Sequence, residues 1–442
     1  MHIADAEKYL LSLQPGKIDL DLARLKRVIA GLGLDPLPFP AVLIGGTNGK
    51  GSVATFTEAL LAPHVRIGAF VKPHVFRITE RVRIGGRPAS DEAFCAVVQQ
   101  LADYLARADV AVTFFEATLL TALIAFRDAG VQLALIEVGL GGRFDAANAL
   151  PRVLTAITSI GRDHEKFLGT TLAGIAIEKA GIMAPGVPCI ISRGVRSENP
   201  DCAGILRKLA ALKHAPVVEP RVCASRLYGD LFPPQQTFAL TGCELRLRMW
   251  LQITVNQLGL YQAHNLECAI AIAAELAGRE YAPLPLQIPS SLCADYRGRF
   301  EPHRVGEGII ILDASHNEEG MRALAKTLHE YVPDAKPLLV FGCQEGKDVA
   351  RLLAPLQALV SRVVPIELPI LHPMAEADVA QGAQAAGFAV LHAGVPFAEK
   401  MAQVRADAEH GGMVLVSGSI YYLGTIAQAL GLGEAGIAGL NQ

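Results

Sequence analysis

The sequence predicts an α/β fold in two domains, each a parallel-dominated sheet covered by helices. Three observations predict it. Short apolar runs that end in glycine or an acid alternate with alanine-rich helical stretches along the chain. The length, 442 residues, exceeds what one hydrophobic core usually organises. The strand–helix pattern also restarts near residue 300.

In the first half, AVLI (41–44), LALIEV (133–138) and LTAITSI (154–160) read as buried strands. Residues 50–61, 91–108 and 116–129 read as helices. The stretch 185–257, with many Pro and Arg and a FPPQQTF interruption, is weakly patterned and reads as β-ribbon or irregular chain. After a boundary near Glu301 to Arg304, GIIILDASHN (308–317) is a strand running into a polar loop. EEGMRALAKTLHEY is then a helix and PLLVFG (337–342) a strand. VARLLAPLQALV, RVVPIEL, ADVAQGAQAAGF, AVLHAG and GMVLVSGS continue the alternation, which divides the chain into domains 1–301 and 302–442.

A formal net charge of −3 removes bulk electrostatics as a reason to bind nucleic acid or an anionic membrane. Eight cysteines, among them Cys243, are scattered with no C-x-x-C pair, so neither a zinc site nor a disulfide framework is suggested. The first residues lack a basic segment followed by an apolar one, and no apolar run reaches membrane-spanning length. A cytoplasmic location is expected.

Polar residues just after apolar strands deserve most weight, because ligands in such sheets collect beyond the strands' carboxyl ends. IGGTNGKGS (44–52) follows a strand and precedes a helix, as a phosphate-binding loop requires. Its glycines let backbone N–H groups approach phosphate, Lys50 can pair β/γ-phosphate oxygens, and a hydroxyl can ligate Mg²⁺. Gly51 between Lys50 and Ser52 departs from the G-x-x-x-x-G-K-[ST] pattern. A plain glycine-rich turn is the competing reading; strand, lysine and serine together favour nucleotide. Glu137 ends the next strand, followed by a glycine loop with Arg143 and Asp145; it reads as a metal or substrate ligand, or else as a cap. SIGRDH brings Asp163 and His164 to a third strand end, where His164 is open to either metal coordination or a structural hydrogen bond. Lys179, in the helical TLAGIAIEKAGIM (171–183), reads from spacing alone as a lysine snorkelling to solvent. In the second half Asp313, Ser315, His316, Asn317, Ser417 and Ser419 follow strands. Each alone reads as turn or cap chemistry; together they suggest a polar sheet edge facing the first domain across a cleft.

These segments resemble folylpolyglutamate synthases, often bifunctional with dihydrofolate synthase, of the Mur ligase superfamily. The resemblance is carried in order by GGTNGKGS, PHVFRITERVRIGG (73–86), TFFEATLLTA (113–122), EVGLGGRFDAAN, ITSIGRDHEKFLGTTLAGIAIEKAGI (157–182), YRGRFE (296–301), LDASHN and VLVSGSIYYLG (414–424). It extends to YLLSLQPGKIDLDLARLKRV near the start. It implies a P-loop ATPase domain followed by a smaller Rossmann-like domain that helps bind the incoming amino acid. Thr47, Asn48, Gly49, Lys50, Gly51 and Ser52, with Asn265, Arg299 and Asp313, would then contact ATP. Ser52, Glu137 and His164 match Mg²⁺ ligands. Lys179 matches a lysine that becomes carbamylated and can bind a second Mg²⁺, which replaces the snorkelling reading. Arg81, Thr113 and Asp145 fall where the family contacts its pterin-bearing substrate, and Ser417 is placed with substrate.

The reaction so implied is ATP-dependent ligation of L-glutamate to dihydropteroate or reduced folates through an acyl phosphate. Lys50 and Lys179 would be catalytic, His316 would orient glutamate, and domain closure would exclude water. A monomer acting on small molecules, with no nucleic-acid or membrane partner, is expected. Lys72 in place of a serine, Ala147 of a threonine, Tyr261 of a histidine and Tyr296 of a tryptophan depart from the family pattern, as does DASHN. A ligase of the same scaffold with another acid or amino acid is the alternative. A nucleotide-dependent switch fits less well, since the chain has no N-K-x-D motif.

Overall fold

The computed structural model describes residues 1–13, 21–242, 251–279, 281, 288–360, 362–369 and 372–432. Cys243 and the rest of 243–250, together with part of the N-terminal resembling segment, lie outside the described residues. The chain divides into two compact units. The first comprises Met1–Ser225, Ala239–Ile253 and Ala263–Asp295; the second comprises Arg226–Phe238, Thr254–Gln262 and Tyr296–Gln442.

The main sheet of the first unit has eight strands: β1 (Ala41–Gly45), β2 (Ile67–Phe70), β3 (Val82–Ile84), β4 (Arg87–Pro88), β5 (Leu133–Glu137), β6 (Leu154–Ile157), β7 (Cys189–Ile191) and β8 (Val217–Val218). Their order is β4-β3-β2-β5-β1-β6-β7-β8, parallel except where β3 pairs with β2 and β4. Every residue of β1, β5 and β6 is buried, as expected of central strands covered on both faces. In register, Ile44 lies beside Glu137 and Gly45 beside Ile157. The glycine loop therefore leaves the sheet between the strand end that carries Glu137 and the one that leads to Asp163 and His164.

The helices Lys50–Leu61 and Asp91–Ala108 have the expected bounds. Ser90 starts the second by accepting from the Ala93 N–H, and the stripe Phe94, Val97, Val98, Leu101 and Leu105 buries one face. Three local expectations need correction. The third strand stops at Ile157 rather than residue 160, because Thr158 and Ser159 turn their hydroxyls onto the Asn48 carbonyl. The helix expected at 116–129 is Phe114–Asp128, started by a Thr113 cap. The stretch 185–257 holds the strands that a β-ribbon reading allows, but also two helices that it does not. It holds β7, the helices Arg193–Glu198 and Pro200–Leu212, and then β8, β9 (Val222–Asp230), β10 (Gln235–Gly242) and β11 (Leu251–Val255). Pro200 opens its helix where no N–H is needed, and Cys202, Ala203, Leu206 and Ala210 form the buried stripe. With β12 (Ser291–Leu292) the later strands form a sheet in the order β12-β11-β10-β9.

The second unit carries a six-stranded sheet made of β13 (Glu301–Val305), β14 (Gly308–Leu312), β15 (Leu338–Phe341), β16 (Arg362–Pro365), β17 (Ala389–Val390) and β18 (Met413–Ser417). The order is β13-β14-β18-β15-β16-β17, with only the β13–β14 hairpin antiparallel. The helix Glu318–Tyr331 buries Met321, Leu324 and Leu328. Asn317 caps that helix by accepting from the Gly320 N–H at 2.9 Å. No described helix is long and apolar enough to cross a membrane.

Candidate active site

The glycine loop is fixed by hydrogen bonds to the chain after β6. The Thr47 N–H donates to the Ser159 carbonyl at 3.0 Å, and the Asn48 N–H donates to Ser159 Oγ at 2.8 Å. Thr158 Oγ1 donates to the Asn48 carbonyl at 2.6 Å. Thr47 Oγ1 donates to the Gly161 carbonyl and accepts from the Gly161 N–H, at 3.1 and 2.9 Å. A side chain at Gly46 would collide with Thr158, and one at Gly49 with the Asn265 side chain. Gly49 also sits at φ 85°, where glycine carries least strain, and it precedes the helix whose first turn holds Lys50, Gly51 and Ser52. Lys50 curls over the loop, its Nζ donating to the carbonyls of Thr47 at 2.8 Å and Gly46 at 3.1 Å.

Around this loop lie three nearly buried carboxylates, Glu137, Asp145 and Asp163. Glu137 Oε2 accepts from the Lys72 N–H at 3.0 Å. Asp145 organises the glycine-rich turn after β5, accepting from the N–H groups of Leu140 at 2.6 Å and Ala147 at 2.9 Å. Burial raises its pKa, against those bonds and the Lys72 charge. Asp163 Oδ1 accepts from the His164 N–H at 2.9 Å. His164 is held at φ 50°, an unusual conformation for a residue with a side chain, and its ring is half exposed. The Lys72 ammonium donates to the Gly139 carbonyl at 2.5 Å. Burial lowers its pKa, while Glu137, Asp145 and Asp163 pull it back up.

Lys179 does not snorkel. It is the last residue of the α-helix Leu172–Lys179 and is 4% exposed, so the reading from spacing alone is wrong. The chain tightens into a 3₁₀ turn at Ala180–Ile182, where a side chain at Gly181 would strike the Arg143 backbone. Burial first, then the Lys50 charge, lower its pKa to about 7.

The three residues assigned to the acceptor are placed differently. Asp145 lies with the carboxylates just described. Arg81 Nε donates to His74 Nδ1 at 2.9 Å, with its guanidinium 5.0 Å from the Phe114 ring centroid. Burial, then Arg81, drives the His74 pKa down to about 3, so the ring is neutral with its proton on Nε2. Thr113 forms a reciprocal cap with Glu116, which also pairs with Arg24 at 2.7 Å. Thr113→Ala is expected to cost about 1 kcal/mol of stability by denaturant unfolding. An accompanying rise in acceptor KM would mark substrate contact, whereas an unchanged KM would leave Thr113 as a cap only.

In the second unit Asp313 follows β14 and accepts from the N–H groups of Phe300 at 3.0 Å and Ser315 at 2.9 Å. Arg299 donates to Tyr296 Oη at 3.2 Å and lies 4.8 Å from its ring centroid. His316 Nδ1 lies 2.8 Å from the Ala314 carbonyl, an acceptor that favours the proton on Nδ1. Ser417 Oγ donates to the Ser315 carbonyl at 3.1 Å, linking two strand ends. The buried Tyr261 hydroxyl finds no hydrogen-bond partner among the described residues. Residue-type reasoning missed the anchoring role of Thr158 and Ser159, whose only signal was two hydroxyls closing an apolar strand.

Residues 298–420 match the family model described as Mur ligase, glutamate ligase domain. With the phosphate-type loop and the carboxylates beside it, this defines an ATP-dependent acid–amino-acid ligase of the Mur type. A dihydrofolate synthase/folylpolyglutamate synthase from Mycobacterium tuberculosis is 32% identical over 79% of this chain and 74% of its own. The bifunctional folylpolyglutamate synthase/dihydrofolate synthase of Yersinia pestis complexed with AMPPNP and Mn ion superposes with a TM-score of 0.79 at 28% identity, covering 98% of each chain. The Escherichia coli FolC structure with DHPP and ADP superposes at 0.78 and 26% identity, covering 98% of each. The chain belongs to the dihydrofolate synthase/folylpolyglutamate synthase family.

Proposed function

We propose that this enzyme activates the carboxylate of dihydropteroate, of a reduced folate, or of both as an acyl phosphate at the expense of ATP, and joins it to the α-amine of L-glutamate. The observation that carries the reading is the glycine loop anchored between the ends of β5 and β6, with Lys50 over it and Glu137 beside it. The substrate carboxylate attacks the γ-phosphate, ADP leaves, glutamate's amine attacks the acyl carbon, and phosphate leaves. Like charges must meet in the first step, so neutralisation and positioning dominate the catalysis. Lys50 meets the transferring phosphoryl group.

The Ser52 hydroxyl, Glu137 carboxylate and His164 imidazole suit Mg²⁺ only if phosphate oxygens complete the set, since two hard oxygens and one nitrogen are too few. Among the described residues no three His, Cys, Asp or Glu side chains form a metal group by themselves. When bound, the metal would offset phosphate charge. Lys179, buried and beside another ammonium, is suited to carbamylation: its neutral amine adds to CO₂, forming an N–C bond and releasing one proton. His316 and Ser417 of the second unit serve glutamate.

Product analysis tests the reading. Protein with ATP, Mg²⁺, glutamate and dihydropteroate or a reduced folate should release ADP above a no-acceptor control and yield an acceptor heavier by one glutamyl residue. If neither acceptor does so, the folate assignment fails.

A further inference from the structure

Glu301 closes the turn 297–300, which carries Arg299. The residue opens β13 and lies beside Leu312, the last residue of β14, so the turn stands at that strand's carboxyl end, where ligands of such sheets collect. Gly298 is at φ 70° and Phe300 at φ 45°, the second an uncommon conformation for a residue with a side chain. The Ala314 N–H donates to the Gly298 carbonyl and the Phe300 N–H to the Asp313 carboxylate, each at 3.0 Å. The Phe300 side chain is fully buried, its ring 5.6 Å from that of Tyr331. Glu301, with its side chain 13% exposed, completes these ties. Its Oε1 accepts from Arg297 Nε at 2.7 Å and lies 2.9 Å from His303 Nε2, while Oε2 accepts from the Gly298 N–H at 2.7 Å. Burial would raise the carboxyl pKa, but His303 and Arg297 hold it at about 2, so the group stays ionised.

We infer that Glu301 is a positioning residue for ATP: by holding the Arg297 side chain and the Gly298 N–H together, its carboxylate sets the direction in which Arg299 leaves the turn. The inference rests on Arg299 meeting ATP, as the family resemblance implies. Both oxygens of Glu301 are committed to Arg297, His303 and Gly298 rather than to Arg299. Arg299 itself donates to neutral oxygens, the Gly298 carbonyl at 3.0 Å and Tyr296 Oη at 3.2 Å, contacts that a guanidinium can exchange for a charge-assisted bond to an anion. In this role Glu301 acts on the nucleotide only through Arg299.

Calorimetric titration with a non-hydrolysable ATP analogue and Mg²⁺, beside the thermal midpoint of the nucleotide-free protein, tests this without relying on turnover. Glu301→Gln, which keeps the volume and loses the charge, should weaken binding of the analogue about tenfold, and Arg299→Ala at least as much. The double variant should bind no more weakly than Arg299→Ala alone, because both changes act through one contact. Losses that multiply in the double variant would overturn the inference, as would a folded Glu301→Gln with wild-type affinity, even with a lowered thermal midpoint. If Glu301→Gln does not fold, Arg297→Met, which removes the partner of Oε1, is read by the same criteria. Wild-type affinity in Arg299→Ala would remove Arg299 from the ATP site and take the inference with it. Affinity lost in Arg299→Ala but kept in Glu301→Gln would leave that contact standing and end only the role of Glu301.

Discussion

Lys50→Ala is expected to lower kcat by on the order of 10³-fold while the far-ultraviolet circular dichroism spectrum and thermal midpoint stay close to wild type. The expectation follows from where the ammonium sits. It lies within hydrogen-bond distance of two carbonyls of its own loop, on the side where backbone N–H groups at the helix start favour anions. A neutral side chain leaves the phosphoryl group and the incoming carboxylate facing each other with less charge between them. The loop keeps its shape because Thr47 and Asn48 are held by Ser159, Thr158 and Gly161, not by the lysine. Steady-state ADP release, run beside nucleotide titration, checks it. Near-normal turnover would remove Lys50 from phosphoryl transfer.

Lys179→Ala is expected to lose on the order of 10²-fold in kcat and to regain part of it with added acetate or propionate, which can place a carboxylate where the carbamate stood. The pH dependence carries a sign. Only the neutral amine adds CO₂, and burial with the Lys50 charge sets the Lys179 pKa at about 7, so the modified fraction rises as pH increases through that value. Wild-type activity should climb from roughly pH 6 to 8 and respond to bicarbonate, and the alanine variant should lose that limb. A carbamate carbon in the ¹³C spectrum of protein equilibrated with labelled bicarbonate is the direct readout. Activity like that of the wild type in Lys179→Ala would leave the lysine as buried structure.

The elements legible in the sequence were those whose signals are local. The Lys50–Leu61 helix announces itself by its glycine start, and Asp91–Ala108 by a serine cap and an apolar stripe. The Pro200–Leu212 helix lies in a stretch rich in Pro and Arg and weakly patterned, where a proline at the first turn, favourable there, does not stand out as a start signal. Lys179 shows the other limit. Periodicity assigns a lysine to solvent by default, whereas the fold buries this one. The candidate site residues Lys50, Glu137 and Asp163 could be found as polar groups at strand ends. The partnership of Lys72 with Gly139 could not, since it joins residues 67 positions apart.

The anchoring of the glycine loop also has a consequence for the order in which the protein is made. During synthesis, the segment Gly46–Lys50 leaves the ribosome more than a hundred residues before Thr158, Ser159 and Gly161, and longer still before Asn265, whose side chain lies against Gly49. A nascent chain truncated before residue 158 has the motif without the Thr158, Ser159 and Gly161 groups that hold Thr47 and Asn48. The loop's anchors therefore come into place only once β6 has docked beside β1.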